Sequence, residues 1–137
     1  MPASRRSPLT DLAGLGLLGW GVLLGYVSIP WILSRGLLWD DGISLLGAAL
    51  AALHLVAALG VTRRAGWARP LGLWMSGIGL FGNGVVLVTL APGALSDKAA
   101  LFGSTPLQLL AVPVGMVLVY GLIFVLLLRA RDEFAHG

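Results

Sequence analysis

Residues 43–61, ISLLGAALAALHLVAALGV, decide the fold of this chain. The stretch contains no Asp, Glu, Lys or Arg, and it consists mostly of Leu, Ala, Val and Gly. Because a helix rises about 1.5 Å per residue, this stretch would extend for about 30 Å, the thickness of the hydrocarbon core of a bilayer. It therefore predicts a transmembrane helix.

Three further stretches, at residues 12–33, 71–90 and 107–128, are equally free of charged side chains and of similar length. The sequence thus predicts an all-α, polytopic membrane protein, a four-transmembrane-helix bundle that occupies residues 1–137 as a single domain. Between the third and fourth spans, weak amphipathic character at residues 95–102 predicts a short helix on the outer membrane surface.

The basic residues are distributed unevenly among the segments that connect these spans. The segment between the first and second spans contains one basic residue, Arg35, and the segment between the third and fourth spans contains one, Lys98. The other basic residues precede the first span, separate the second from the third, or follow the fourth: Arg5, Arg6, Arg63, Arg64, Arg69, Arg129 and Arg131. Because Lys and Arg accumulate on the cytoplasmic side, these arginines predict a multi-pass protein with both termini in the cytoplasm. A composition rich in Gly, Ala, Leu and Arg favours a bacterial source, hence the cell inner membrane.

Composition also excludes several classes of function. The net charge of +3 and the pI near 10.2 arise from arginines parcelled out among the connecting segments, so they do not predict a nucleic-acid partner. The chain has no cysteine, which removes disulfide and thiolate chemistry. No carboxylate lies in any span and no catalytic, metal or nucleotide motif is complete, so we expect neither an enzyme nor a bound cofactor.

The two halves of the chain share a short pattern. Residues 14–24, GLGLLGWGVLL, match residues 77–87, GIGLFGNGVVL, at seven of eleven positions. Both segments would run outward from the cytoplasm, as expected of two parallel helical-hairpin repeats. The alternative explanation is that Gly and Leu are so abundant here that chance produces the match.

Small residues recur at helical spacing in the first three spans, and close packing of helices in lipid depends on such residues. The glycines shared by the two halves fall on opposite faces of a helix, which predicts that the first and third helices lie at the centre of the bundle. The positions that we expect at helix contacts are Gly14, Gly21, Gly25, Gly47, Gly72, Ser76 and Gly79.

Polar or aromatic side chains form a possible intramembrane layer. Counted from the ends of the spans, His54 and Tyr120 lie at nearly the same depth, about 10 Å from the cytoplasmic boundary. By the same count Trp20 lies about 12 Å deep and Asn83 about 18 Å. A buried imidazole needs partners for its ring nitrogens, and hydroxyl, amide and indole groups can supply them. The pattern predicts either hydrogen bonds that hold the helices in register or a functional site.

Three functions follow from these residues. The sequence favours a non-enzymatic scaffold or accessory subunit, which sits in the lipid bilayer and packs through its small-residue faces against itself or a larger membrane complex. The alternative is an oligomeric channel or transporter with a polar path at His54, Asn83 and Tyr120. A third possibility is binding of haem or another ligand at His54, since a neutral imidazole is an axial ligand.

Overall fold

The computed structural model describes residues 8–35, 42–94 and 105–134. This part of the chain contains four α-helices and a final 3-10 helix. The elements are α1 (Pro8–Arg35), α2 (Gly42–Thr62), α3 (Ala68–Ala94), α4 (Pro106–Arg129) and the 3-10 helix Arg131–Phe134. Each α-helix is long and apolar enough to cross a membrane, so the predicted all-helical fold with four such helices is confirmed. The surface helix predicted at 95–102 lies outside the described residues.

Proline and a left-handed residue mark the ends of the helices. α1 and α4 both begin at proline, whose missing N–H would have no partner in the first turn. α2 ends in a Schellman motif, in which Ala65 N donates to Gly60 O (2.9 Å) and Arg64 N donates to Val61 O (3.0 Å). Arg64 has a φ of 56°, a conformation that glycine usually supplies at this position. The chain therefore reverses between α2 and α3 at an arginine.

α3 is longer than the sequence predicts. Pro92 and Gly93 suggest a turn that follows the third span, but α3 continues through both residues to Ala94. Proline in a helix leaves the carbonyl four residues earlier, here that of Val88, without its usual N–H partner. The interpretation of Pro92 as a turn residue is therefore wrong.

The helices associate as two pairs. Contacts are most extensive between α1 and α2 and between α3 and α4, and smaller interfaces join α1 with α4 and α2 with α3. Of the four membrane-length stretches, that of α3 has the smallest buried share. The expectation that the third helix occupies the centre is therefore wrong. The stretch of α1, with 28% buried, is second to that of α2, with 33%.

Most of the described core lies at one end of the bundle, where Arg64, Arg69, Arg129 and Arg131 are found; we call this the Arg-rich end. The start of α1, the end of α2, the start of α3 and the end of α4 meet there. The core residues are Ala13, Leu17, Ala57, Ala58, Val61, Ala68, Met75, Ile123, Leu126, Leu127, Ala130 and Phe134. Phe134 places the 3-10 helix against this core.

The small residues predicted at helix contacts lie against neighbouring side chains within the chain. A Cβ placed on Gly14 would lie 2.7 Å from Thr62 Cγ2, and one on Gly21 would lie 2.8 Å from Leu55. Gly25, Gly47, Gly72 and Gly79 face Ala51, Ser28, Leu127 and Tyr120 respectively, and Ser76 is fully buried. By contrast, a Cβ on Gly19, Gly82, Gly84 or Gly115 would meet nothing described within 4 Å.

Candidate ligand site

His54 forms hydrogen bonds through both of its ring nitrogens. Nδ1 lies 2.8 Å from Leu50 O, one helical turn earlier, and Nε2 lies 3.1 Å from Tyr120 Oη on α4. A carbonyl can only accept, so Nδ1 carries a proton. In the neutral imidazole, the form favoured by an apolar site without an acidic side chain, Nε2 then accepts from the Tyr120 hydroxyl. The pair joins α2 to α4.

Tyr120 is held from its other side by Trp20. The two rings are stacked, with centroids 5.5 Å apart and planes 5° from parallel, which brings α1 to the same place. Trp20 does not supply the indole donor that the sequence suggests for His54. Its Nε1 is buried and has no hydrogen-bond partner among the described residues.

α3 approaches this group of rings at Gly79. A Cβ at this position would lie 2.6 to 2.7 Å from atoms of the Tyr120 ring, closer than real Cβ contacts come. Only glycine leaves room for the phenol to pass between α3 and α2 and to reach His54. Gly79 thus sets the position of the Tyr120 hydroxyl.

Asn83 lies one helical turn after Gly79 on α3. Its Nδ2 donates to Gly79 O (2.7 Å), and only the amide nitrogen can donate to a carbonyl, so the amide orientation is fixed. Asn83 therefore does not bond to His54. Its Oδ1 has no hydrogen-bond partner within the described ranges.

A cavity of about 370 Å³ connects these polar groups. It is lined by Leu24, Leu50, Leu53, His54, Leu71, Trp74, Met75, Ile78, Gly79, Asn83, Met116 and Tyr120. The lining comes mainly from α2 and α3, whose mutual interface is small. Tyr120 and Met116 from α4 and Leu24 from α1 complete it. Leu53, Trp74 and Ile78 are 44%, 70% and 60% exposed, so the cavity opens between α2 and α3. Apolar walls with a few convergent polar groups are typical of small-molecule sites.

Two other grooves, of about 430 and 450 Å³, are larger. Their linings are apolar, aromatic or glycine, and they include no imidazole or amide side chain. Cavity volume therefore does not identify the ligand site. The imidazole of His54 and the amide of Asn83 favour the cavity at His54 as that site.

The structure thus brings together part of the predicted polar layer. His54 and Tyr120 bond directly, Trp20 contacts Tyr120, and Asn83 faces the same cavity. Sequence reasoning missed the roles of Trp74 as a rim residue and of Gly79 beside Tyr120. Helical spacing offered a signal for the latter, since Gly79 and Asn83 are one turn apart on one face.

Haem ligation at His54 conflicts with this geometry. Nε2 accepts from Tyr120 and Nδ1 donates to Leu50 O, so an iron atom would have to displace one of these partners. Among the described residues, no three His, Cys, Asp or Glu side chains come together to hold a metal ion.

A second polar cluster lies at the Arg-rich end. Arg64 Nε donates to Glu133 Oε2 (3.3 Å), and Arg64 Nη2 lies 3.8 Å from Asp11 Oδ1. Thr10 Oγ1 also donates to Glu133, and Arg69 Nε donates to Leu127 O (3.0 Å). Acidic residues near helix ends, such as Asp11 and Glu133, commonly act as caps or solubilising charges. In the structure they connect α1 and the 3-10 helix to the turn between α2 and α3.

Comparisons with protein-family models, with curated proteins and with solved structures found no match.

Proposed function

We propose that this chain is a non-enzymatic integral membrane protein that binds a small, lipid-soluble molecule in the cavity at His54. The observation that carries the proposal is the opening of this cavity between α2 and α3 beside exposed apolar side chains. A molecule dissolved in the bilayer could enter there without crossing water. In the proposed orientation both termini and the Arg64 turn face the cytoplasm, because the arginines gather at that end.

The small-residue faces support this choice over an accessory-subunit role. The seven predicted positions contact residues of the same chain, so their surface is already used to build the bundle. A partner would have to use other surfaces. Among the described residues, glycines that meet nothing within 4 Å of a Cβ, such as Gly82 and Gly84 on α3, offer backbone for close approach.

Photolabelling in lipid tests the proposal. The purified protein in nanodiscs is irradiated with a trifluoromethyl phenyl diazirine, and labelled residues are located by mass spectrometry. We expect saturable labelling at the cavity lining, competed by an excess of unlabelled propylbenzene. Labelling spread over all lipid-facing residues, without saturation, would overturn the proposal.

A pair of variants sharpens this test. Met116→Trp fills the cavity and should abolish the saturable component, because Met116 lies on its wall. Leu118→Trp is the matched control, since Leu118 is on the same helix, is 67% exposed and does not line the cavity. Proton flux through reconstituted wild-type protein that is lost in His54→Leu would instead favour the channel.

A further inference from the structure

The hydrogen-bond capacity left over in the cavity defines what a ligand must supply. The Tyr120 hydroxyl donates its hydrogen bond to His54, so only the lone pairs of its oxygen remain available to a ligand. Asn83 donates one amide N–H to Gly79 O, so its Oδ1 and its second N–H remain available to a ligand. The cavity thus offers two acceptor oxygens, the second amide N–H of Asn83 and, at its rim, the indole N–H of Trp74. A ligand group that both donates and accepts, such as a hydroxyl, matches this set.

The charges of the lining restrict the ligand further. The lining includes no Asp, Glu, Lys or Arg, and His54 is neutral when it bonds to Leu50 O and Tyr120 as described. A cationic amine or a carboxylate would remain unpaired in an apolar site, at a large cost in free energy. The donor is therefore a neutral hydroxyl or N–H group.

The apolar walls favour an aromatic ring. Trp74, Met75 and Met116 line the cavity together with the Tyr120 phenol. Thioether sulfurs and aromatic faces both make favourable contacts with an aromatic ring, beyond the burial of apolar area. An aliphatic chain of the same size would lose these contacts.

Building on the proposed function, we infer that the ligand is a neutral phenol-type molecule whose hydroxyl donates to Asn83 Oδ1 while its ring lies against Trp74 and the two methionines. A hydroxyl on an aromatic ring is a better donor than an alcohol because it is more acidic. It also carries no charge at neutral pH, which the cavity requires.

The inference is tested by competition against the diazirine probe in nanodiscs. The competitors are para-propylphenol, its methyl ether para-propylanisole, and para-propylcyclohexanol, each expressed as its concentration in the lipid. The ether keeps the ring but has no donor, and the cyclohexanol keeps the donor but has no ring. We expect the phenol to compete about three- to tenfold better than either, the effect of one hydrogen bond or one ring contact.

Variants locate the donor bond. Asn83→Leu should bring the phenol and the ether to within about twofold of each other, since the acceptor is gone. Thr89→Val is the matched control on α3, because Thr89 is exposed and bonds only to Val85 O and Val86 O. This variant should preserve the full difference.

A measurement on the unaltered protein covers the case in which Asn83→Leu does not fold. Fluorination of the phenol ring makes its hydroxyl more acidic and a stronger donor, so the fluorinated propylphenol should compete better than the parent compound. Equal competition by phenol and ether, or a cyclohexanol as effective as the phenol, would overturn the ligand class and leave cavity binding intact. Competition by none of the compounds at saturating concentration would overturn the proposed function itself.

Discussion

Tyr120 reaches His54 because residue 79 has no side chain. His54 and Tyr120 are 66 residues apart in the chain, and α3 passes directly beside the ring of Tyr120. The glycine therefore determines the geometry of a hydrogen bond to which it contributes no atom.

Replacement of Gly79 by alanine should destabilise the protein. The added methyl group would displace the Tyr120 ring, and overpacking of this kind costs about 1 to 3 kcal/mol in the free energy of unfolding. Gly82→Ala is the control, since nothing described lies within 4 Å of its Cβ position. It should be neutral or stabilising by up to about 1 kcal/mol. Equilibrium unfolding in mixed micelles measures both, and equal effects of the two variants would contradict the packing described at Gly79.

The hydrogen bond between His54 and Tyr120 should appear as a coupling energy. We expect a double-mutant cycle with His54→Leu and Tyr120→Phe to give about 0.6 kcal/mol, the average for such bonds between membrane helices. A parallel cycle with His54→Leu and Thr89→Val should give no coupling, because Thr89 bonds only to carbonyls of its own helix. Coupling in the second cycle as large as in the first would refute a specific bond.

Part of the site could be predicted at this scale, because depth along a helix follows from counting residues. His54 and Tyr120 were expected at one level, and they are bonded in the structure. Rotation about the helix axis could not be obtained in this way. The apolar faces of these helices are nearly uniform, so the sequence does not show that Trp20 stacks on Tyr120 or that Asn83 bonds to its own helix.

Between α2 and α3, the chain turns at a residue that is poorly suited to its own backbone conformation. Arg64 lies in the left-handed region, which costs a residue with a Cβ about 1 to 2 kcal/mol relative to the right-handed helix. Its guanidinium group bonds to Glu133 through Nε and lies beside Asp11, and these contacts act against the cost. The side chain holds three segments together at a turn that its backbone disfavours.

Substitutions at Arg64 should separate the two effects. Arg64→Ala loses the ion pairs and keeps the unfavourable backbone, whereas Arg64→Gly loses the same pairs but relaxes the backbone. We therefore expect the glycine variant to be more stable than the alanine variant by about 1 kcal/mol, with both below the wild-type protein. Arg63→Ala, at the exposed neighbouring residue, should change the free energy of unfolding by less than about 0.5 kcal/mol. A glycine variant less stable than the alanine variant would contradict this account.

The elements themselves were predictable from apolar length, since each observed helix contains one of the predicted spans. The errors arose at the ends. Pro92 and Gly93 are typical turn residues, but α3 continues through both of them to Ala94, with the loss of the helical hydrogen bond to Val88 O. The turn between α2 and α3 has Arg64 at the left-handed position where a glycine would have marked the helix end. The role of Glu133 depends on contacts between segments that are distant in the chain, and local sequence patterns do not show such contacts.

The whole molecule should be oriented by its arginines. The chain contains no cysteine, so single cysteines can be introduced without background. A membrane-impermeant maleimide added to intact cells should label Ser104→Cys and should leave Asp132→Cys unlabelled until the cells are permeabilised, because the Arg-rich end is expected to face the cytoplasm. The reverse pattern, or equal labelling of both variants in intact cells, would contradict the proposed orientation.

Which helices would be neighbours was harder to predict than which segments would be helical. Helices with apolar residues on every side carry no stripe that marks the interior, so the burial of the four helices could not be ranked from the pattern of apolar residues. The shared glycine pattern suggested a central position for α3. That helix instead has the smallest buried share, and its glycines at 82 and 84 meet no described neighbour. Whether the two hairpins are repeats stays a prediction.

The concentration of the core at the Arg-rich end has a consequence for how this sequence can vary. Tolerance to substitution should follow position along the membrane normal. In a saturation-mutagenesis library sorted for folded protein, fully buried Leu17, Val61 and Leu127 should accept few alternatives. Val88, which is 72% exposed towards the other end, should accept almost any apolar residue. Under neutral drift, the sequence of the half of the bundle away from the Arg-rich end would thus change faster than that of the other half.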